Sequence, residues 1–85
     1  MDIEELARKI EEKIYETIVL EAGGEDKILH YEPIIRIRQN DKLDVDIELD
    51  LEISPLAKKS KEEIIKRVRE EVDKLIQELT GKKPE

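Results

Sequence analysis

The chain is 85 residues long, contains no cysteine, is 46% charged and carries a net charge of -7 at pH 7. That length allows one domain with a single small core, and the missing cysteines exclude disulfides, zinc–thiolate sites and thiol nucleophiles. Residues 1–54 hold 7 basic against 16 acidic side chains, an acidic front half that disfavours binding to a phosphate backbone, and residues 55–85 hold 9 against 7, only mildly basic and mixed.

The N-terminal "MDIEELARKI" is acidic and amphipathic, so it predicts neither a secretory leader nor membrane insertion, and the expected location is cytoplasmic. Ile3, Leu6, Ala7, Ile10, Ile14 and Ile18 keep the spacing of one buried helical stripe and predict a helix over about 2–22. Asp2 and Glu5 open it as a capping box, and Gly23 and Gly24 end it. The β-branched "TIVLEA" leaves that end prone to fray, and residues 24–27 read as a polar loop.

"ILHYEPIIRIRQ" predicts a strand over about 28–39, in which Pro33 marks either an edge or a break. "QNDK" signals a turn, and "KLDVDIELDLEIS" then predicts a strand over about 43–53. In that strand Leu43, Val45, Ile47, Leu49, Leu51 and Ile53 alternate with Asp44, Asp46, Glu48, Asp50 and Glu52. Opposed residues of an antiparallel pair share a face, so pairing Ile37 with Val45 and Ile35 with Ile47 gathers the apolar residues. The same register sets Arg38 opposite Asp44 and Arg36 opposite Asp46, with a three-residue loop at 40–42. A two-residue loop would oppose Ile37 to Asp44 and is rejected.

"SPLAKK" is a connector. Ser60 and Glu63 form a second capping box, and Ile65, Val68, Val72, Leu75 and Leu79, widened by Ile64 and Ile76, predict a helix over about 60–80. Gly81 is its C-cap, with Lys82 and Lys83 at the negative end of the dipole and Pro84 as a stop. The fold class is therefore α+β in the order α-β-β-α, with both helices on one face of an antiparallel hairpin. A two-stranded sheet is marginal alone, and the acidic strand is about twice as long as the run Ile34–Gln39. Its free edge invites a second copy, giving a homodimer with a four-stranded sheet. The interface candidates are Leu43, Val45, Ile47, Leu49 and Leu51 at the sheet edge, or Ile65, Val68, Val72, Leu75 and Leu79 on the second helix.

From Ile34 to Gly81 the sequence resembles the alkaline-shock protein domain. Those domains have a charged hairpin and then a helix with apolar residues every fourth position ending in hydrophobic-Thr-Gly; here that is "VREEVDKLIQELTG", residues 68–81. The resemblance implies an α+β domain without catalysis, in a family whose members look like structural or adaptor proteins linked to envelope stress. The family usually continues into another strand, where this sequence reads "KKPE". The strand–strand–helix outline is also similar to the cytoplasmic dimerisation domain of cation-diffusion transporters, whose metal sites need histidines that this chain lacks.

The acidic row has three readings: a face left to water, a docking face for a basic protein, or a metal site built from Asp44, Asp46, Glu48 and Asp50 with His30. Same-face strand residues lie about 6.5–7 Å apart, too far for tight convergence on one hard cation without a loop. Paired carboxylates act as acid and base only where a pocket separates their pKa values, and an open strand face offers none. The basic clusters Arg8–Lys9 and Lys66–Arg69 are interleaved with Glu and lack aromatic companions, so helix-surface pairing explains them better than nucleic acid. The expectation is a non-enzymatic structural or adaptor domain with no cofactor, acting by homo-oligomerisation and protein–protein contacts. A metal-responsive regulatory domain and a designed scaffold are the alternatives. Rich in Ile, Glu and Lys, the composition resembles that of hyperthermophile proteins and predicts thermostability. A designed surface would look similar, but only three alanines and a proline inside a strand weigh against design.

Overall fold

The structure is a computed structural model that describes residues 2–81. Helix α1 spans Ile3–Ala22 and starts at Asp2, whose carboxylate accepts the amide of Glu4 at 3.4 Å, one residue before the Glu5 amide that a capping box would use. Leu6, Ile10, Ile14, Ile18 and Ala22 follow in four-residue steps, and all are buried. That stripe carries the helix through "TIVLEA", because tertiary burial outweighs the weak helix propensity of β-branched residues. Thr17 is buried with it and satisfied, its hydroxyl donating to the Lys13 carbonyl at 2.7 Å. Gly23, at φ 92°, ends the helix, and its N–H and that of Gly24 both donate to the Val19 carbonyl at 3.0 Å.

Glu25–Lys27, expected as loop, forms one 3-10 turn that redirects the chain into strand β1 (Ile28–Gln39). β1 pairs antiparallel with β2 (Leu43–Ile53) in a two-stranded sheet. The register is the one that parity dictates: Ile35 faces Ile47, Ile37 faces Val45, Arg36 faces Asp46 and Arg38 faces Asp44. Leu29 forms an irregularity between Ile28 and His30 and turns its side chain to solvent.

Pro33 does not break β1; it sits opposite Leu49 within the ladder. Proline is tolerated there only if its nitrogen points away from the partner strand. The Asn40 N–H, donating to the Lys42 carbonyl at 3.2 Å, agrees, since it extends the ladder bonds onto the even-numbered residues. The odd-numbered residues of both strands therefore aim their backbone groups at the two open edges. Because β1 continues past Pro33, it matches β2 along its length, and the overhang expected from a short run at Ile34–Gln39 is absent. The open edge of β2 is the side away from β1.

Helix α2 spans Lys61–Thr80. The Ser60 hydroxyl accepts the Glu63 amide at 3.3 Å, the first half of the expected capping box, and donates to the Glu63 carboxylate at 3.3 Å, where the box would have the Ser60 backbone N–H donate. Gly81 ends it at φ 73°; Lys82, Lys83 and Pro84, expected at the dipole end and as a stop, lie outside the described residues. Both helices pack on the odd-numbered face of the hairpin. α1 is the centre of the core, lying against α2 and β1, while α2 touches β2 only lightly. Ile64, Val68 and Val72 close the core from α2, and Leu51 is the fully buried residue among those described in the strands.

Candidate interaction surface

The light contact between α2 and β2 leaves a flank that the other described elements do not cover. On β2, Leu43, Val45, Ile47 and Leu49 point inward yet are only half-buried. On α2, Ile65, Leu75, Ile76 and Leu79 are half-buried, and Ile65 and Ile76 lie beside the β2 residues. Two clefts lie between strand and helix. One, of about 350 Å³, is lined by Ile47, Glu48, Leu49, Ile65, Val68 and Arg69; the other, of about 250 Å³, by Val45, Asp46, Ile47, Arg69, Val72, Asp73 and Ile76. Of the interface candidates read from sequence, Leu51, Val68 and Val72 are taken up by the core of the single chain, at 0%, 3% and 3% exposure. The others, Leu43, Val45, Ile47, Leu49, Ile65, Leu75 and Leu79, remain partly open. Ile76 belongs with them; its place on the widened stripe was the available signal.

The opposite, even-numbered face of the hairpin is exposed along its length. It carries Glu32, Asp44, Asp46, Glu48, Asp50 and Glu52 against Arg36, Arg38 and His30. Arg36 donates from Nη1 to Glu48 at 3.0 Å and to Asp46 at 3.3 Å. The hydrogen bond to Glu48, then its charge, with Asp46 adding to both, raises the Arg36 pKa above its already high ordinary value and fixes its charge. Arg38, although opposite Asp44, closes no ion pair among the described residues.

His30 Nε2 lies 3.2 Å from Asp50 Oδ2 and 3.8 Å from Glu32 Oε2. The three side chains place one ligand atom each within 4.8 Å of one another, and all three are exposed. Of the metal candidates read from sequence, His30 and Asp50 thus come together, joined by Glu32. Asp46 and Glu48 are held by Arg36, and Asp44 lies at the hairpin end by Arg38. Glu32 was missed because Pro33 left the parity of the segment before it open, although a continuous strand puts Glu32 opposite Asp50.

Beneath α1, the Tyr15 and Tyr31 rings are tilted against each other at 5.4 Å between centroids. The Tyr15 hydroxyl donates to Glu25, which raises its pKa. The buried Tyr31 hydroxyl has no hydrogen-bond partner among the described residues, and burial first, then the charge of Glu11 and the neighbouring Tyr15, push its pKa up to about 12. A wider, open cleft of about 700 Å³ lies under the connector beside Lys58, Lys59 and Lys61. Lys59 is committed there to Glu21 at 2.9 Å. Among the described residues no helix is long and apolar enough to cross a membrane. No family model matches the sequence, and no curated protein or solved structure matches it, which leaves the geometry of this chain as the ground for its function.

Proposed function

We propose that the chain is a non-enzymatic structural or adaptor domain that works through homo-oligomerisation and protein–protein contacts, with the β2–α2 flank as its contact surface. One observation carries the reading: an open strand edge runs beside two clefts, each with an apolar floor and a charged rim, that no element among the described residues fills. A strand laid along that edge meets the outward backbone groups of Val45, Ile47 and Leu49 and sets alternate side chains into the clefts. A second copy in this position gives a four-stranded sheet. The resemblance to alkaline-shock domains agrees with such a role.

A second copy brings its own acidic row next to the first, so association is weak at low salt and strengthens as salt screens the carboxylates. Absolute mass by light scattering, over a roughly hundredfold concentration range, tests this at low and high salt. The expected mass climbs from 10.0 kDa toward twice that value, further at high salt. Ile65→Glu, at a half-open position, returns it to one copy without unfolding the chain. A mass of one copy at every concentration and both salts contradicts the proposal.

A second reading, a metal-responsive domain, is favoured by the grouping of His30, Glu32 and Asp50. Zinc titrated at pH 7 should then give a saturable heat that His30→Ala removes. No heat at about millimolar ion, the weak end of protein cation sites, would eliminate it.

A further inference from the structure

We infer that the β2–α2 flank receives an extended strand of another protein in which apolar residues alternate with Lys or Arg. This rests on the reading of that flank as the contact surface and names its partner. Three features select the occupant.

First, the edge is usable on β2 and blunted on β1. Pro33 removes a donor from the outward row of β1, whereas Leu43–Leu51 of β2 present an unbroken outward row. Second, the inner side of an added strand lies over Val45, Ile47 and Leu49 and against Ile65 and Ile76, so every second residue must be apolar. Arg69 and Asp73 rim those clefts with opposite charges and favour neither sign.

Third, the outer side of the added strand lies beside Asp44, Asp46, Glu48, Asp50 and Glu52. Arg36 offsets Asp46 and Glu48 from the β1 side, and His30 contacts Asp50. Asp44 and Glu52 make no ion pair among the described residues. A second copy is a poor match there. Setting Ile47 opposite its own counterpart puts Asp46 against Glu48 and Asp44 against Asp50 of the other copy. Sliding by two residues, the smallest step that keeps the faces, still leaves carboxylates opposed. Lys or Arg at the same positions converts each repulsion into an attraction, so a basic-alternating strand displaces the second copy.

The test uses three synthetic peptides of about nine residues, the length of one strand: alternating Val and Lys, alternating Val and Glu, and a non-alternating peptide with the composition of the first. Binding to the full chain is followed by fluorescence anisotropy, and the site by amide chemical shifts. The alternating Lys peptide should bind at least about tenfold tighter than the Glu peptide, as several cross-strand charge pairs together imply. Its margin should shrink at high salt, and the shifts should fall on Val45–Leu49 and Ile65. The variant Asp44→Lys/Glu52→Lys, altered only at exposed positions, should lose that preference while keeping its fold. Equal binding of the scrambled Lys peptide would reduce the effect to bulk attraction and overturn the inference. So would equal binding of the Glu peptide. If no peptide binds but mass still rises with concentration, this inference fails and self-association stands; if neither occurs, both fail.

Discussion

Tyr31 shows how one residue can be placed by the sequence and still surprise. Its parity puts it on the inner face, opposite Leu51, as an alternating strand requires. Its hydroxyl nevertheless ends without a partner among the described residues, against Tyr15 and near Glu11, a neighbourhood created only when α1 docks on β1. A phenol whose folded pKa of about 12 exceeds its ordinary 10.0, because burial disfavours the phenolate, leaves stability unaffected by its ionisation below pH 10 and lowers it as pH rises from 10 toward 12. Discounted for partial exposure, the loss amounts to about 1–2 kcal/mol. Tyr31→Phe should be neutral or up to about 1 kcal/mol stabilising at pH 7, because it deletes an unsatisfied hydroxyl. It should also flatten the decline between pH 10 and 12. Urea denaturation at pH 7 and pH 11 measures both; a marked loss at pH 7 would mean the hydroxyl is satisfied after all. Glu32 teaches the same lesson: its grouping with His30 and Asp50 follows from parity, but only once β1 is known to run through Pro33.

At the scale of elements, local signals carried far. The four-residue steps of α1, the Ser60–Glu63 cap and the strict alternation of β2 each specify their element, and opposed parity fixes the hairpin register without reference to the helices. What local pattern could not specify is how closely each helix approaches the sheet. α1 presents a narrow stripe that is buried at Leu6, Ile10, Ile14, Ile18 and Ala22, while Ile3, expected on it, lies exposed at the helix start; the stripe of α2 is wide, divided between Ile64, Val68 and Val72 in the core and Ile65 and Ile76 over the clefts. That division depends on the packing of two helices on a twisted hairpin, a non-local property. The caps are independently testable. Ser60→Ala should cost about 1 kcal/mol in urea denaturation. Gly23→Ala should cost at least about 1 kcal/mol, since φ is 92° and an added Cβ meets the Lys58 side chain at 3.1 Å. No change at Gly23 would show that the left-handed turn is not required there.

As a whole the molecule measures 43 × 26 × 17 Å, a thin slab for its length. Two layers suffice to bury nine apolar residues among those described, but they leave the β2 side of the inner face only half-covered. A second strand-bearing partner on that side would extend the core without rearranging the chain, and the outer face would keep its charge in water, as antiparallel sheets allow. The choice of β2 over β1 as the working edge is the central claim. Amide hydrogen exchange, read residue by residue in dilute and concentrated solution at high salt, tests it most directly. Exchange at Val45, Ile47 and Leu49 should slow as concentration rises, while Ile35 and Ile37 on the other edge keep their rates. Slowing on the β1 edge instead, or no slowing on β2 while the mass doubles, would place the contact elsewhere and contradict the account.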